Sequence, residues 1–160
     1  MNNGSIVALD SNGYIVLMTS DAGSNDSTDA FPAGTIGVFV GCQYINAQGQ
    51  VINSQYYPSG TTGVVTAFVV TDPNVVFQAQ LDGSGGQAVL GANTFLAAVQ
   101  STSTGSTQTG NSTVALESTV QTAAAAFRIV GFASTPGDAF TDVLVKFNPG
   151  QHSYLSAVGV

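Results

Sequence analysis

Alternation of period two dominates this chain, and helical periodicity is nearly absent. Alternating runs are broken by turn signals roughly every eight to twelve residues, the spacing of a β-sandwich or β-barrel of short antiparallel strands. SIVALDSNGYIVLM holds two such runs around Asp10-Ser11-Asn12-Gly13, and Asn-Gly is a strong tight-hairpin signal. In TIGVFVGCQYI, strict alternation places Ile36, Val38, Val40, Cys42 and Tyr44 on one face and Gly37 and Gly41 on the other. Glycines on one face of a strand suggest a bend or the close approach of something bulky. Asn46-Ala47-Gln48-Gly49 reads as a type I turn closed by a left-handed glycine, from which VINSQYY returns. VVTAFVV then runs into TDPN, where Pro73 fixes φ at about −65° and Asp72 and Asn74 tolerate turn geometry. The second limb follows at once, so 64–81 reads as a β-hairpin.

Past LDGSGGQA, a flexible break, the segment AVLGANTFLAAVQ is ambiguous between a short helix and a bent strand, because Gly91 and Asn93 interrupt an Ala- and Leu-bearing run. STSTGSTQTGNST, 101–113, has no apolar residue and reads as a long loop. One helical turn is expected at 116–120, a strand at 126–133, a turn at Thr135-Pro136-Gly137-Asp138 and a last strand in DVLVKFNPG. The expected organisation is a single domain over all 160 residues. Residues 1–5, 101–113 and 150–160 are expected as arms that neighbouring chains hold in place.

Charge narrows the partners. Charged residues make up 7% of the chain, against about 25% in an average soluble domain. The two basic side chains are Arg128 and Lys146, and the net charge is −7. A surface so poor in cations cannot neutralise a row of phosphates, which excludes nucleic acid and an anionic membrane as expected partners. Ser, Thr, Asn, Gln and Gly take the place of charge, and these cost less to bury against a protein partner than Lys or Glu. No apolar run reaches the roughly 18 residues a membrane helix needs. MNNGSIVALD has no basic or apolar leader pattern, and one cysteine suits synthesis in a reducing cytosol.

Reactive groups are few. Cys42 and His152 are the only possible Cys–His pair, and the alternating pattern gives Cys42 a plainer role as a small buried hydrophobe. No G-x-S-x-G elbow occurs, and one Cys with one His does not furnish a zinc site. Gly83-Ser84-Gly85-Gly86-Gln87-Ala88 mimics G-x-G-x-x-A but lacks the following helix and ribose-binding acid. Asp21, Asn25, Asp26 and Asp29 crowd one loop, and Asp10-Ser11-Asn12-Gly13 resembles the start of a calcium loop whose terminal Glu is missing. Most acids, apart from the single glutamate Glu117, lie in turns, where Asp is expected for backbone reasons rather than as half of a glycosidase pair. Tyr14, Tyr44, Tyr56, Tyr57 and Tyr154 suit either a sugar-binding face or packing in core and interface. No catalytic residue, cofactor or metal is expected.

GVFVGCQYINAQGQV with YYPSGTT, FVVTDPNVVFQAQ, the Ser/Thr/Gly tract before ALES, FRIVGFA, DVLVKFNP and the QHSY…GV ending occur in this order over about 34–160. In that order the chain resembles small structural proteins of tailed bacteriophages, the capsid decoration or cement type of podovirus-like and cyanophage virions. The resemblance implies an all-β protein without enzymatic activity on the outer surface of the virion head, acting as a small homo-oligomer, dimer or trimer, that bridges major capsid protein subunits. It carries no contact residues over. Asn2, Tyr56, Tyr57, Gln108, Asn111, His152 and Tyr154 are the partner contacts expected from their polar or amphipathic character. A carbohydrate-binding or adhesin-like β-domain is the competing expectation.

Overall fold

The computed structural model describes residues 1–18, 35–58, 60–98, 100 and 105–157, and the acidic cluster at 21–29 lies outside them. Two antiparallel sheets pack as an all-β sandwich, and the only helical elements among the described residues are 3-10 turns at Gln87–Val89 and Ser153–Leu155. The first sheet contains β1 (Ile6–Leu9), β2 (Ile15–Leu17), β3 (Thr35–Ile45), β4 (Val51–Ser54) and β5 (Val65–Val70). Its order is β2-β1-β3-β4, with β5 on the other edge of β3. The second sheet has the order β6-β9-β8-β7, formed by β6 (Phe77–Gln80), β7 (Asn93–Thr94), β8 (Phe127–Phe132) and β9 (Asp142–Phe147).

Both turns read from Asx-Gly chemistry form as expected. The Asp10 carboxylate accepts from the N–H groups of Asn12 at 2.9 Å and Tyr14 at 2.8 Å, with Gly13 at φ +79°, and this joins β1 to β2. The Asn46 side-chain oxygen likewise accepts from Gln48 and Gln50, with Gly49 at φ +80°, joining β3 to β4.

The reading of 64–81 as a hairpin is corrected. β5 pairs with β3 in the first sheet, whereas β6 pairs with β9 in the second. Asp72 does cap a turn, accepting from Asn74 N–H at 2.8 Å, but the turn carries the chain from one sheet to the other. Tight hairpins need residues at positive φ, and Asp72-Pro73-Asn74 supplies none.

The helical turn expected at 116–120 is also absent. Leu116 bridges both Leu81 and Leu96, and its N–H donates to Gln80 O while its carbonyl accepts from Asp82 N. Its own bonds go to the 80–82 segment and those of its neighbours Ala115 and Glu117 to Ala97 and Phe95, so the backbone bonds run sideways and the chain stays extended there. The ambiguous segment before it contains a 3-10 turn, then Gly91 at φ +84° and the short strand β7.

Strict alternation along β3 fails twice, first at Ile36, which the pairing with β1 skips between Thr35 and Gly37, and again at Val40. Register slips between Phe39 and Gly41 against β5, so Val40 is a bulged residue that re-aims its neighbours. Phe39 is buried and Val40 exposed, the reverse of the period-two assignment. The expected close approach at the glycines is present. A Cβ on Gly37 would fall on the Val70 carbonyl oxygen, and one on Gly41 would lie 2.9 Å from Ser54 O.

Two apolar clusters result. Ile6, Ala8 and Met18 meet Phe127, Ile129, Val143, Val145 and Phe147 between the sheets. On the opposite face of the first sheet, Val7, Ile36, Phe39 and Cys42 form a smaller cluster flanked by Met1, Ile15, Tyr44, Val65 and Ala67.

The described parts of the expected arms belong to the body. Met1 O accepts from Tyr57 N, Asn3 N donates to Gly110 O at 2.8 Å, and Ser112 N donates to Asn3 O at 2.7 Å. The N-terminus and the 105–113 loop therefore hold each other within one chain. Residues 101–104 and 158–160 of the expected loop and tail lie outside the described residues.

Candidate interaction surface

The candidate reactive groups occupy structural positions. Cys42 is buried and its Sγ donates to Tyr56 O at 3.4 Å. Burial pushes the Cys42 thiol up, against the opposing pull of the N-terminal ammonium, so the thiol form is favoured. His152 is buried at 1% exposure, with its ring edge-on to Phe147 and Tyr154. Its Nδ1 accepts from Tyr154 N at 3.1 Å, which places the proton of the neutral ring on Nε2. Burial holds its pKa below the ordinary value, while the backbone of Ile36 and the Asp72 carboxylate oppose that shift. None of the hydrogen bonds of Cys42 or His152 joins one to the other.

Four of the described acids bond to backbone or amide groups. Asp10 and Asp72 cap turns, Asp82 accepts from Ser118 N at 2.7 Å, and Asp142 accepts from the side chains of Gln78 and Gln80. Among the described residues, no three His, Cys, Asp or Glu gather in a metal-binding group. The Gly83–Ala88 motif is a loop pinned by Thr141, whose Oγ1 accepts from Gly85 N at 2.8 Å. No helix among the described residues is long and apolar enough to cross a membrane.

The seven expected contact residues divide. Asn2 pairs with Tyr56, and Asn3 bridges Asn111, so Asn2, Tyr56, Tyr57 and Asn111 converge around the N-terminus. Asn2 and His152 are buried and turned to partners in their own chain. Tyr154 at 60% exposure, Tyr57, Gln108 and Asn111 remain open to a partner.

A larger surface carries no charge at all. No Asp, Glu, Lys, Arg or His occurs between Asp29 and Asp72, a span that includes all of β3, β4 and β5. At its start, β3 presents Val38 to the core between the sheets. Beyond the Val40 bulge the same face is uncovered. Cross-strand partners Ile45 and Val51 are 59% and 61% exposed, and Val64, immediately before β5, is 89% exposed and also lines the groove on the other face. Next come Asn53, Gln43 and Thr66, also exposed, and then Phe68 and Val40. β3, β4 and β5 thus form a neutral three-stranded ribbon with two apolar rows separated by a polar one.

At the base of the ribbon an apolar cleft of about 430 Å³ opens between the sheets, lined by Val40, Val70, Phe77 and Val145 among others. On the opposite face a groove of about 580 Å³ runs over Phe39, Cys42, Val65 and Ala67, with Tyr14 and Tyr57 among its lining residues. This ribbon was missed as a candidate site, although its signal, the charge-free span between two aspartates, lies in the sequence.

Comparison with protein-family models, curated proteins and solved structures finds no match to the chain.

Proposed function

We propose that this protein is a structural component of a tailed-phage head, a decoration protein that clamps capsid subunits from outside the shell. The observation that carries the proposal is the neutral ribbon, which exposes Ile45, Val51 and Phe68 on one face of a firmly hydrogen-bonded sandwich. Exposed apolar side chains set among uncharged polar ones are the composition of a surface made to be covered by protein. Many copies on a closed lattice multiply a modest patch through avidity. The N-terminus and the 105–113 loop, tied to each other by short backbone bonds, keep the body rigid while the ribbon is engaged. The resemblance in segment order adds the setting, a virion head.

The test is re-addition of purified protein to heads assembled without it. Wild-type protein is expected to bind and to raise resistance to heat and osmotic shock, and an Ile45→Asp/Val51→Asp variant to bind weakly. Equal binding by that variant, or no binding by either, overturns the proposal.

A sugar-binding role has one observation in its favour, the groove bearing Tyr14 and Tyr57. Apart from the two phenolic hydroxyls its side chains are apolar or absent, whereas sugar recognition needs convergent hydrogen-bonding groups. Binding of the isolated protein on a glycan array would promote this reading over the first.

A further inference from the structure

We infer that the outer edge of β5 is a self-association surface, where a second copy of this chain adds its own β5 in antiparallel pairing. Among the described residues β5, Val65–Val70, is the longest strand paired on one side only, its partner being β3. An unpaired edge presents a row of N–H and C=O groups to any strand that approaches. Stable monomers blunt such edges with lysine, proline, an inward charge or a bulge. VTAFVV has none of these, and the bulged residue in its pairing with β3, Val40, sits on β3 and leaves β5 regular.

Charge selects a second copy as the occupant. The chain carries −7, so two copies repel wherever their acidic surfaces meet. The span between Asp29 and Asp72 is the longest charge-free stretch of the chain, and no such repulsion arises on it. In antiparallel pairing about a two-fold axis, opposed residues share a face, so Ala67 or Phe68 sits at the axis. Asp72, the first acid after β5, then lies across from Thr62 or Val64 of the second copy, and no two acids are opposed. The exposed ribbon faces of the two copies join into one continuous surface, with the Phe68 side chains near its middle.

This inference is independent of the decoration reading, because it is measured on the free protein. Sedimentation equilibrium of the full chain is expected to show a monomer–dimer equilibrium. A Thr66→Lys/Phe68→Lys variant, altered at two exposed positions of the edge strand, is expected to stay monomeric over the same concentrations. The control is Gln48→Lys/Ala88→Lys, which adds the same two charges at exposed positions elsewhere and is expected to dimerise at least as well as wild type. Hydrogen exchange on the unaltered chain checks the edge without a variant, since the β5 amides are expected to gain protection as concentration rises. A wild type that is monomeric or trimeric throughout, a lysine edge variant that still dimerises, or β5 exchange that is independent of concentration overturns the inference.

Discussion

Gln100 offers the sharpest test of how the first sheet is held. It is 1% exposed, and its amide acts as a substitute strand. Oε1 accepts from Ile6 N at 2.8 Å, while Nε2 donates to Ile6 O at 3.1 Å and to Met18 O at 2.9 Å. Replacement by leucine keeps most of the volume and removes all three bonds. Ile6 O retains a second donor, Met18 N at 3.1 Å, so the groups left without a partner are Ile6 N–H and Met18 C=O. A buried orphan costs about 1–3 kcal/mol, giving about 2–6 kcal/mol for the pair. For a domain of this size that corresponds to a fall in Tm of roughly 4–24 °C, centred near 12 °C. Thermal melts of Gln100→Leu against Gln48→Leu, an exposed control, give the comparison. A Gln100→Leu melt that overlays wild type would refute the clamp.

His152, buried with a lowered pKa, gives stability that is fully present above its ordinary value of about 6.5 and is lost as pH falls below it, because the unfolded chain then takes up the proton more readily. Urea titrations at neutral pH and near pH 5 are expected to show a loss that His152→Phe reduces; an unchanged pH slope in the variant contradicts this. Gly37→Ala drives a Cβ onto the Val70 carbonyl at φ +141° and is expected to cost at least about 2 kcal/mol, whereas Gly49→Ala, at φ +80° with open space around it, costs about 1. Equal costs by urea denaturation would mean that β5 does not approach β3 so closely. Arg128 and Lys146, the only two basic side chains, face each other directly across β8 and β9. Lys146→Gln is therefore expected to stabilise by about 0.2–1 kcal/mol at low salt, and a destabilised variant would contradict the pairing.

Much of the fold was readable from local chemistry. Asp10 to Gly13 and Asn46 to Gly49 specify their turns through side-chain acceptors and a left-handed glycine, and both form within a few residues of chain. What local chemistry does not carry is the choice of strand partner. Asp72 to Asn74 turns the chain equally well within one sheet or between two, and only the absence of a positive-φ residue argues against a hairpin. The Val40 bulge is set by Gly37 and Gly41 letting β5 and β4 close in, which alternation along one strand cannot reveal. Leu116 and Gln100 owe their roles to residues more than 30 positions away, Leu116 to Leu81 and Gln100 to Ile6 and Met18, and no spacing in the sequence marks them. Of the candidate site, tyrosines and polar surface residues were visible one by one. The ribbon emerged once the pairing of β3, β4 and β5 aligned Ile45, Val51 and Phe68 on one face.

Imaging of purified phage heads at side-chain detail tests the proposed role most directly. Repeated copies on the outer shell, with the Ile45–Val51 end of the ribbon pressed against capsid subunits, are the expected result. Heads that lack the protein, or copies seated with that ribbon open to solvent, would contradict it.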